Sequence, residues 1–123
     1  MKAFFDIDTQ LDFVYPGGAL YTPGCEWVIP NVALLNAWAV DNGIPLISSN
    51  CAHTETAQEF QVWPPHCVKG CLGQRKPAST VVGNGQIILE KNDLDLFSTP
   101  ETDRIPYSFA AGPRPNSDDP GRL

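Results

Sequence analysis

The residues of this sequence that could do chemistry are an acid, a lysine and two histidines, all close to predicted strand ends. Asp8 directly follows an apolar run at residues 3–7, and Lys91 directly follows another at residues 86–90. An acid at a strand end can act as a catalytic base. A lysine at the same edge of the sheet can stabilise developing negative charge. The pair could therefore supply a catalytic base and a cationic stabiliser.

The two histidines lie in or near a long irregular segment. His53 follows the apolar run at residues 44–49, and His66 follows two prolines within residues 54–85. Long ordered loops in small domains are usually functional, and imidazole is a common metal ligand. A metal pocket is therefore one interpretation. The other is that both rings only form hydrogen bonds within the loop.

Three apolar runs and one amphipathic segment must position these side chains. Residues 3–7, 44–49 and 86–90 have the length and composition of buried strands. Residues 27–42 place Val28, Val32, Leu35 and Ala39 at helical spacing, which predicts a helix with that face buried. The order strand, helix, strand, long loop, strand indicates an α/β fold with a parallel sheet. In such sheets, ligands bind at the carboxyl ends of the strands.

The composition changes near residue 99. Residues 100–123 contain five prolines and little apolar periodicity, so we predict a domain at 1–99 and a disordered or divergent tail at 100–123. Three strands and one helix cannot cover both faces of a parallel sheet, which suggests a truncated chain. The unpaired edge of the strand at 86–90 would favour pairing with a second copy in a homo-oligomer.

Charge and hydropathy exclude several classes of partner. The net charge is −6 and Lys and Arg total 8, without a basic stripe, so we expect no nucleic-acid binding. No apolar run approaches the length of about 20 residues that a membrane helix needs, so we expect no membrane partner. The N-terminus lacks the apolar region of a signal peptide. We therefore expect a cytoplasmic protein whose four cysteines are reduced.

Three segments of residues 3–98 resemble the isochorismatase-like cysteine hydrolases, which include the nicotinamidases. Residues 8–13 (DTQLDF) resemble the opening D-x-Q-x-D-F motif of that family. Residues 64–70 (PPHCVKG) resemble its P-P-H-C-x-x-G segment, and residues 87–91 (IILEK) resemble its strand that ends in lysine. The resemblance implies a three-layer α/β/α sandwich with a parallel sheet, incomplete in this chain.

The resemblance also implies roles for individual residues. Asp8 matches the catalytic aspartate of the family, Lys91 matches its catalytic lysine, and Phe13 would line the substrate pocket. The substrate would be a small amide such as nicotinamide, or in a variant of the chemistry the vinyl ether isochorismate. The simpler alternatives are that Asp8 caps a turn, Lys91 is an ordinary surface lysine and Phe13 only packs.

The resemblance also implies a divalent metal, although one ligand position differs from the family. Members of the family that bind metal present Asp-x-His after the second strand, whereas this sequence has Cys51 at the aspartate position, followed by His53. His66 and Glu59 match further ligand positions. Thiolate, imidazole and carboxylate together favour zinc over magnesium or manganese. The alternative is that no metal binds.

The nucleophile expected from the resemblance is missing. In the family it is a cysteine some tens of residues after the lysine, whereas the last cysteine here is Cys71. We therefore expect no amidase activity from this chain, and do not expect Cys51 to replace the missing nucleophile. One alternative function is that of a non-catalytic truncated fragment that binds small molecules or metal. Another is a structural zinc site, whose ligands would be Cys51, His53, His66, Cys67 and Cys71.

Overall fold

A parallel sheet of three strands organises the part of the chain that the computed structural model describes, residues 2–105. The strands are β1 (Phe4–Ile7), β2 (Leu46–Cys51) and β3 (Gln86–Lys91), in the order β1-β2-β3. The register pairs Phe4 with Leu46 and Cys51 with Lys91. The predicted α/β class with a parallel sheet is confirmed.

Strand β2 ends two residues later than the sequence predicted. Its polar run looked like the end of a strand, but all six residues from Leu46 to Cys51 are buried in the sheet. The polar side chains have partners: Ser48 Oγ accepts a hydrogen bond from Gln86 Nε2 at 2.7 Å, and Ser49 Oγ donates to Asp8 Oδ1 at 2.6 Å. Satisfied polar groups can be buried at little cost. Cys51 is thus the last residue of β2 and not part of the following loop.

Two α-helices lie among the described residues: α1 (Leu11–Val14) and α2 (Val28–Asp41). Helix α2 matches the predicted helix to within a residue at each end, and Gly43 follows it with the left-handed φ of 65° that favours glycine. Short 3-10 helices occupy much of the remaining chain: Cys25–Trp27, Gln58–Gln61, Leu72–Gln74, Ala78–Thr80, Leu96–Ser98 and Pro100–Arg104.

The buried face of α2 overlaps only in part with the predicted one. Its fully buried residues are Asn36 and Ala39, whereas Val28 and Leu35 are exposed. The helix carries apolar residues on most sides, so spacing alone could not select the face. The buried amide of Asn36 donates to the Asp6 carboxylate at 2.8 Å, and this polar contact joins the buried face of α2 to β1.

The opposite face of the sheet carries the main apolar cluster. Ile47, Leu89 and Leu96 are buried together, with Ile87 and Ile105 packed against them. At the β1 side of this face, Ile7 remains 57% exposed. Within residues 2–105, no helix has the length and apolarity needed to cross a bilayer.

Residues 100–123 are only partly described. Pro100–Arg104 form a 3-10 helix beside β3, and residues 106–123 lie outside the described part. The division at residue 99 and the disorder expected for the tail therefore stay predictions. In the described sheet, β1 and β3 are the edge strands, and pairing with a second copy likewise stays a prediction.

Candidate active site and metal centre

The carboxyl ends of the three strands open onto a cavity of about 530 Å³. Parallel strands present these ends at one edge of the sheet, which is why residues distant in sequence meet there. Tyr21 and Trp63 contribute aromatic walls. The cavity lining includes all residues of the predicted catalytic, substrate and divalent-metal sites: Asp8, Phe13, Cys51, His53, Glu59, His66 and Lys91. Cys67 and Cys71, which were suggested only for the structural zinc site, do not line it.

Asp8 and Lys91 form an ion pair in this cavity. Lys91 Nζ lies 2.9 Å from Asp8 Oδ2, and the lysine is almost fully buried. Burial disfavours the cation, but the hydrogen bond and negative charge of Asp8 outweigh that effect and raise the pKa of Lys91. Lys91 therefore stays an ammonium ion at neutral pH.

The backbone turns Asp8 toward Lys91. Regular alternation along β1 would put Asp8 on the same face as Asp6, against α2. Asp8 instead adopts a φ of 53°, a left-handed conformation that costs a non-glycine residue on the order of 1 kcal/mol. Its carboxylate thereby meets Ser49 and Lys91 on the opposite face. Ser49 fixes both ends of the residue, because Asp8 N also donates to Ser49 O at 3.1 Å.

Three potential metal ligands converge in the same cavity. His53, Glu59 and His66 each offer one ligand atom, and these atoms lie within 4.8 Å of one another. Glu59 Oε1 is 3.4 Å from His53 Nε2 and 3.1 Å from His66 Nε2. Two imidazoles and a carboxylate form a donor set that zinc accepts.

The outer contacts of the two histidines fix which nitrogen is free. His66 Nδ1 is 2.8 Å from the carbonyl oxygen of Pro64, and His53 Nδ1 is 3.2 Å from Asn92 Oδ1. Both partners are acceptors, so each Nδ1 carries a hydrogen and each Nε2 of a neutral ring has a lone pair. Such second contacts are usual around metal-bound histidines.

Without a cation, the surroundings of the two Nε2 atoms would be unfavourable. His66 Nε2 and Glu59 Oε1 are then two acceptors 3.1 Å apart, and the buried His53 Nε2 has no hydrogen-bond partner. A proton or a metal ion between these atoms removes the conflict. His53, Glu59 and His66 therefore fit a divalent metal on their own geometry.

Cys51 is not part of this cluster. Its Sγ lies 3.4 Å from Lys91 Nζ and accepts a hydrogen bond from it. Burial, with a smaller contribution from the charge of Asp8, raises the pKa of Cys51 to about 11. A neutral thiol is a poor metal ligand and a poor nucleophile. The structure thus brings together three of the four suggested ligands and leaves Cys51 beside the ion pair.

We expect Cys51 to resist alkylation under native conditions. A rise in pKa from 9.0 to about 11 lowers the thiolate fraction at pH 8 by about 100-fold. Exposed Cys71 is the internal control. Peptide mapping after iodoacetamide treatment should find Cys71 labelled and Cys51 unlabelled, with both labelled in urea. Equal native rates would show that the Cys51 thiol is ionised and accessible.

Two contributors to the site were not among the residues that the sequence suggested. Ser49 orients Asp8, and Asn92 orients His53. Asn92 directly follows Lys91 in sequence, which was the only available signal for it. Ser49 gave none, because its role depends on the strand register that pairs it with Ile7.

The fully buried Gln10 ties the Asp8 loop to the end of β2. Its Oε1 accepts from Cys51 N at 2.7 Å, and its Nε2 donates to Cys51 O at 2.8 Å and to Gln74 O at 2.7 Å. Asp12 plays a similar part, accepting from Cys67 N at 2.6 Å. These two motif residues therefore support the loops around the cavity through hydrogen bonds.

Three solved structures with a similar fold are named as hydrolases. N-carbamoylsarcosine amidase from Thermoplasma acidophilum is 23% identical with a TM-score of 0.78, and the match covers 89% of this chain and 63% of that one. An isochorismatase-like hydrolase from Alkaliphilus metalliredigens is 29% identical (TM-score 0.68, 75% and 53% covered). The pyrazinamidase of Pyrococcus horikoshii, solved with zinc, is 25% identical (TM-score 0.68, 78% and 56% covered).

The chain has the isochorismatase-like fold, and the resemblance to that family is confirmed. It spans between about half and two thirds of the length of the three solved chains described. No protein-family model and no curated protein matches it.

Proposed function

We propose that this chain forms the acid, lysine and metal-binding part of a hydrolase site for a small amide such as nicotinamide. The observation that carries the proposal is the ion pair of Lys91 and Asp8, 2.9 Å apart, in a cavity shared with His53, Glu59 and His66. The amidase and pyrazinamidase neighbours support the reaction class.

In this proposal, Asp8 moves protons and Lys91 supplies fixed positive charge. The carboxylate would take the proton of an attacking thiol and pass it to the departing ammonia. Lys91 holds that carboxylate in place through the 2.9 Å contact and places an ammonium ion where negative charge develops. Buried charge of this kind acts without reorganisation during the reaction, and hence lowers the barrier.

The remaining cavity residues would bind the substrate. His53, Glu59 and His66 would hold a divalent metal, which would supply a Lewis acid for a heteroatom of the substrate. The Phe13 ring lies 5.5 Å from the His66 ring, so Phe13 both supports that histidine and lines the cavity. An apolar wall with a few polar groups suits a small aromatic amide.

The reaction also requires a nucleophilic thiol. The cysteines of this chain are Cys25, Cys51, Cys67 and Cys71, and the one beside Asp8 and Lys91 has a pKa of about 11. We therefore propose that the chain by itself binds the amide without hydrolysing it. This observation also favours the second candidate, a non-catalytic protein that binds small molecules or metal.

A pair of measurements tests the proposal. Saturation-transfer NMR should detect nicotinamide bound to the zinc-loaded chain, and the signal should fall strongly in His66→Ala, which removes a proposed ligand. Lys69→Met, which alters an exposed lysine outside the cavity, is the matched control. The absence of binding would refute the proposed site.

Ammonia release is the measurement for turnover. We expect none above background from nicotinamide, and no loss of isochorismate in a parallel reaction. Sustained ammonia release that disappears in Cys51→Ser would contradict the inactivity and identify Cys51 as the nucleophile.

A further inference from the structure

A second buried ion pair lies behind the candidate site, on the α2 side of the sheet. Lys76 Nζ is 2.9 Å from Asp6 Oδ2, with side-chain exposures of only 2% and 1%. Asn36 Nδ2 in α2 donates to the same carboxylate oxygen at 2.8 Å. None of these three residues lines the cavity that holds Asp8. Lys76 is thus one of the most buried charged side chains among the described residues.

Lys76 contacts the chain on both sides of Asp8. Its ammonium group binds the side chain of Asp6 and also donates to the carbonyl oxygen of Thr9 at 3.1 Å. Thr9 Oγ1 in turn donates to Asp6 Oδ1 at 2.5 Å. Asp6, Thr9 and Lys76 thus form a closed ring of contacts across the base of the bend.

That bend is the strained part of the site. Asp8 is one of two non-glycine residues with positive φ among the described residues, and such conformations persist only where the surroundings hold them. The contacts that hold the cavity side of the bend come from Ser49 and Lys91. On the other side, the hydrogen-bonded ring of Lys76 fixes the residues two before and one after Asp8.

The charge state of the ring supports this arrangement. Burial would raise the pKa of Asp6, but hydrogen bonds from Lys76, Thr9 and Asn36 outweigh it and lower that pKa. Burial lowers the pKa of Lys76, and Asp6 offsets part of that effect. The lowered pKa of Asp6 favours an ionised pair, whereas the lowered pKa of Lys76 favours a neutral one. The additional hydrogen bonds from Thr9 and Asn36 to Asp6 favour the ionised pair. The ring therefore contains a charge-assisted bond to Thr9 O, which is stronger than a neutral one.

We propose that Lys76 is a positioning residue for Asp8, which it acts on through Asp6 and the Thr9 carbonyl. This inference rests on the proposed function, because it assigns Lys76 to the same site. A purely stabilising role would make the ring important for folding and irrelevant to Asp8. The two roles differ in what happens to Asp8 when the protein stays folded without the ring.

The double variant Asp6→Asn/Lys76→Met separates the positioning role from the stabilising role. It removes both charges, leaves no buried charge unpaired, and keeps an amide oxygen that can accept from Thr9 or Asn36. It also removes the link from residue 76 to Thr9 O. Lys69→Met is the control for loss of a lysine, because Lys69 pairs with Glu90 at an exposed position.

Two NMR readouts of the double variant test the inference. Hydrogen exchange at the Asp8 amide should accelerate about tenfold more than at the Leu89 amide, which reports on the core. We expect a sharp ammonium signal for Lys91 in the parent chain, because the group is buried and paired, and expect it to broaden or disappear in the double variant. Lys69→Met should change neither.

The inference is wrong if the double variant exchanges Asp8 and Leu89 in parallel and retains the Lys91 signal. Lys76 would then stabilise the fold only. Neither readout requires substrate, metal or turnover. A failure of the proposed function in the nicotinamide experiment therefore remains distinguishable from a failure of this inference.

Discussion

Zinc at 100 times its dissociation constant should raise the free energy of unfolding by about 2.7 kcal/mol. For a chain of this size, the midpoint of thermal unfolding should rise on the order of 10 °C. The ion would replace the contact between acceptors at His66 Nε2 and Glu59 Oε1, 3.1 Å apart. It would also satisfy the buried His53 Nε2. Differential scanning calorimetry with and without zinc measures the shift.

Variants of the ligands should separate their roles. His66→Ala should abolish the thermal shift, because it removes one of three converging donors. Asn92→Ala should weaken zinc binding by about 10- to 100-fold, since Asn92 orients His53 Nδ1 and such outer contacts typically have that effect. Isothermal titration gives both affinities and the stoichiometry, which should be one ion per chain.

The variant Cys51→Ser tests whether Cys51 is a zinc ligand, as the sequence suggested, or lies outside the ligand set. The thiol contacts Lys91, so its replacement should leave the zinc affinity unchanged. Cys71→Ser, at an exposed cysteine, is the matched control. If the zinc affinity falls more than tenfold in Cys51→Ser but not in Cys71→Ser, Cys51 is the fourth zinc ligand that the sequence suggested. No thermal shift in the parent chain would mean that the histidines only form hydrogen bonds within the loop.

The sequence predicted the meeting of Asp8, His53 and Lys91 because that meeting depends on topology. Each residue lies at or just after the carboxyl end of an apolar segment, and parallel strands bring those ends to one edge. The positions of the three strands and of α2 followed from length and apolar composition, and were correct to within about two residues. No side-chain detail was needed at this level.

What the sequence could not predict depends on partners that are distant in the chain. Strand β2 extends two residues past its predicted end to Cys51, whose backbone bonds the side chain of Gln10, 41 residues away. The left-handed φ of Asp8 reverses the alternation of β1, and no local residue type indicates it. Lys76 is buried because Asp6 is there to pair with it. Spacing patterns report on local periodicity and contain none of these contacts.

Replacing Lys76 with methionine should lower the free energy of unfolding by about 3–5 kcal/mol, the usual range for breaking a buried ion pair. The change leaves the Asp6 carboxylate, whose side chain is 1% exposed, without its cation. Urea unfolding followed by circular dichroism gives the free energy. Lys69→Met, which breaks an exposed pair, should change it by less than about 1 kcal/mol.

The double variant should be more stable than the single one. Asp6→Asn/Lys76→Met has no unpaired buried charge, so we expect it to recover at least half of the loss, roughly 2 kcal/mol. The amide at residue 6 can still accept from Thr9 or Asn36, which bond the parent carboxylate at 2.5 and 2.8 Å. A double variant as unstable as Lys76→Met would mean that packing of the lysine stem outweighs the charge.

The pH dependence should identify the charge as the cause. The pKa of folded Asp6 lies below its ordinary value of 3.8, which the unfolded chain retains. The stability that Asp6 contributes is therefore present above pH 3.8 and is lost as the pH falls through the folded pKa. The parent chain should lose stability below pH 3.8 more steeply than the double variant, whose position 6 does not titrate. If the free energy of unfolding from urea titrations between pH 6 and pH 3 changes equally with pH in both proteins, the pKa of Asp6 is the same in the folded and unfolded chain. The charge of Asp6 would then contribute no net stability.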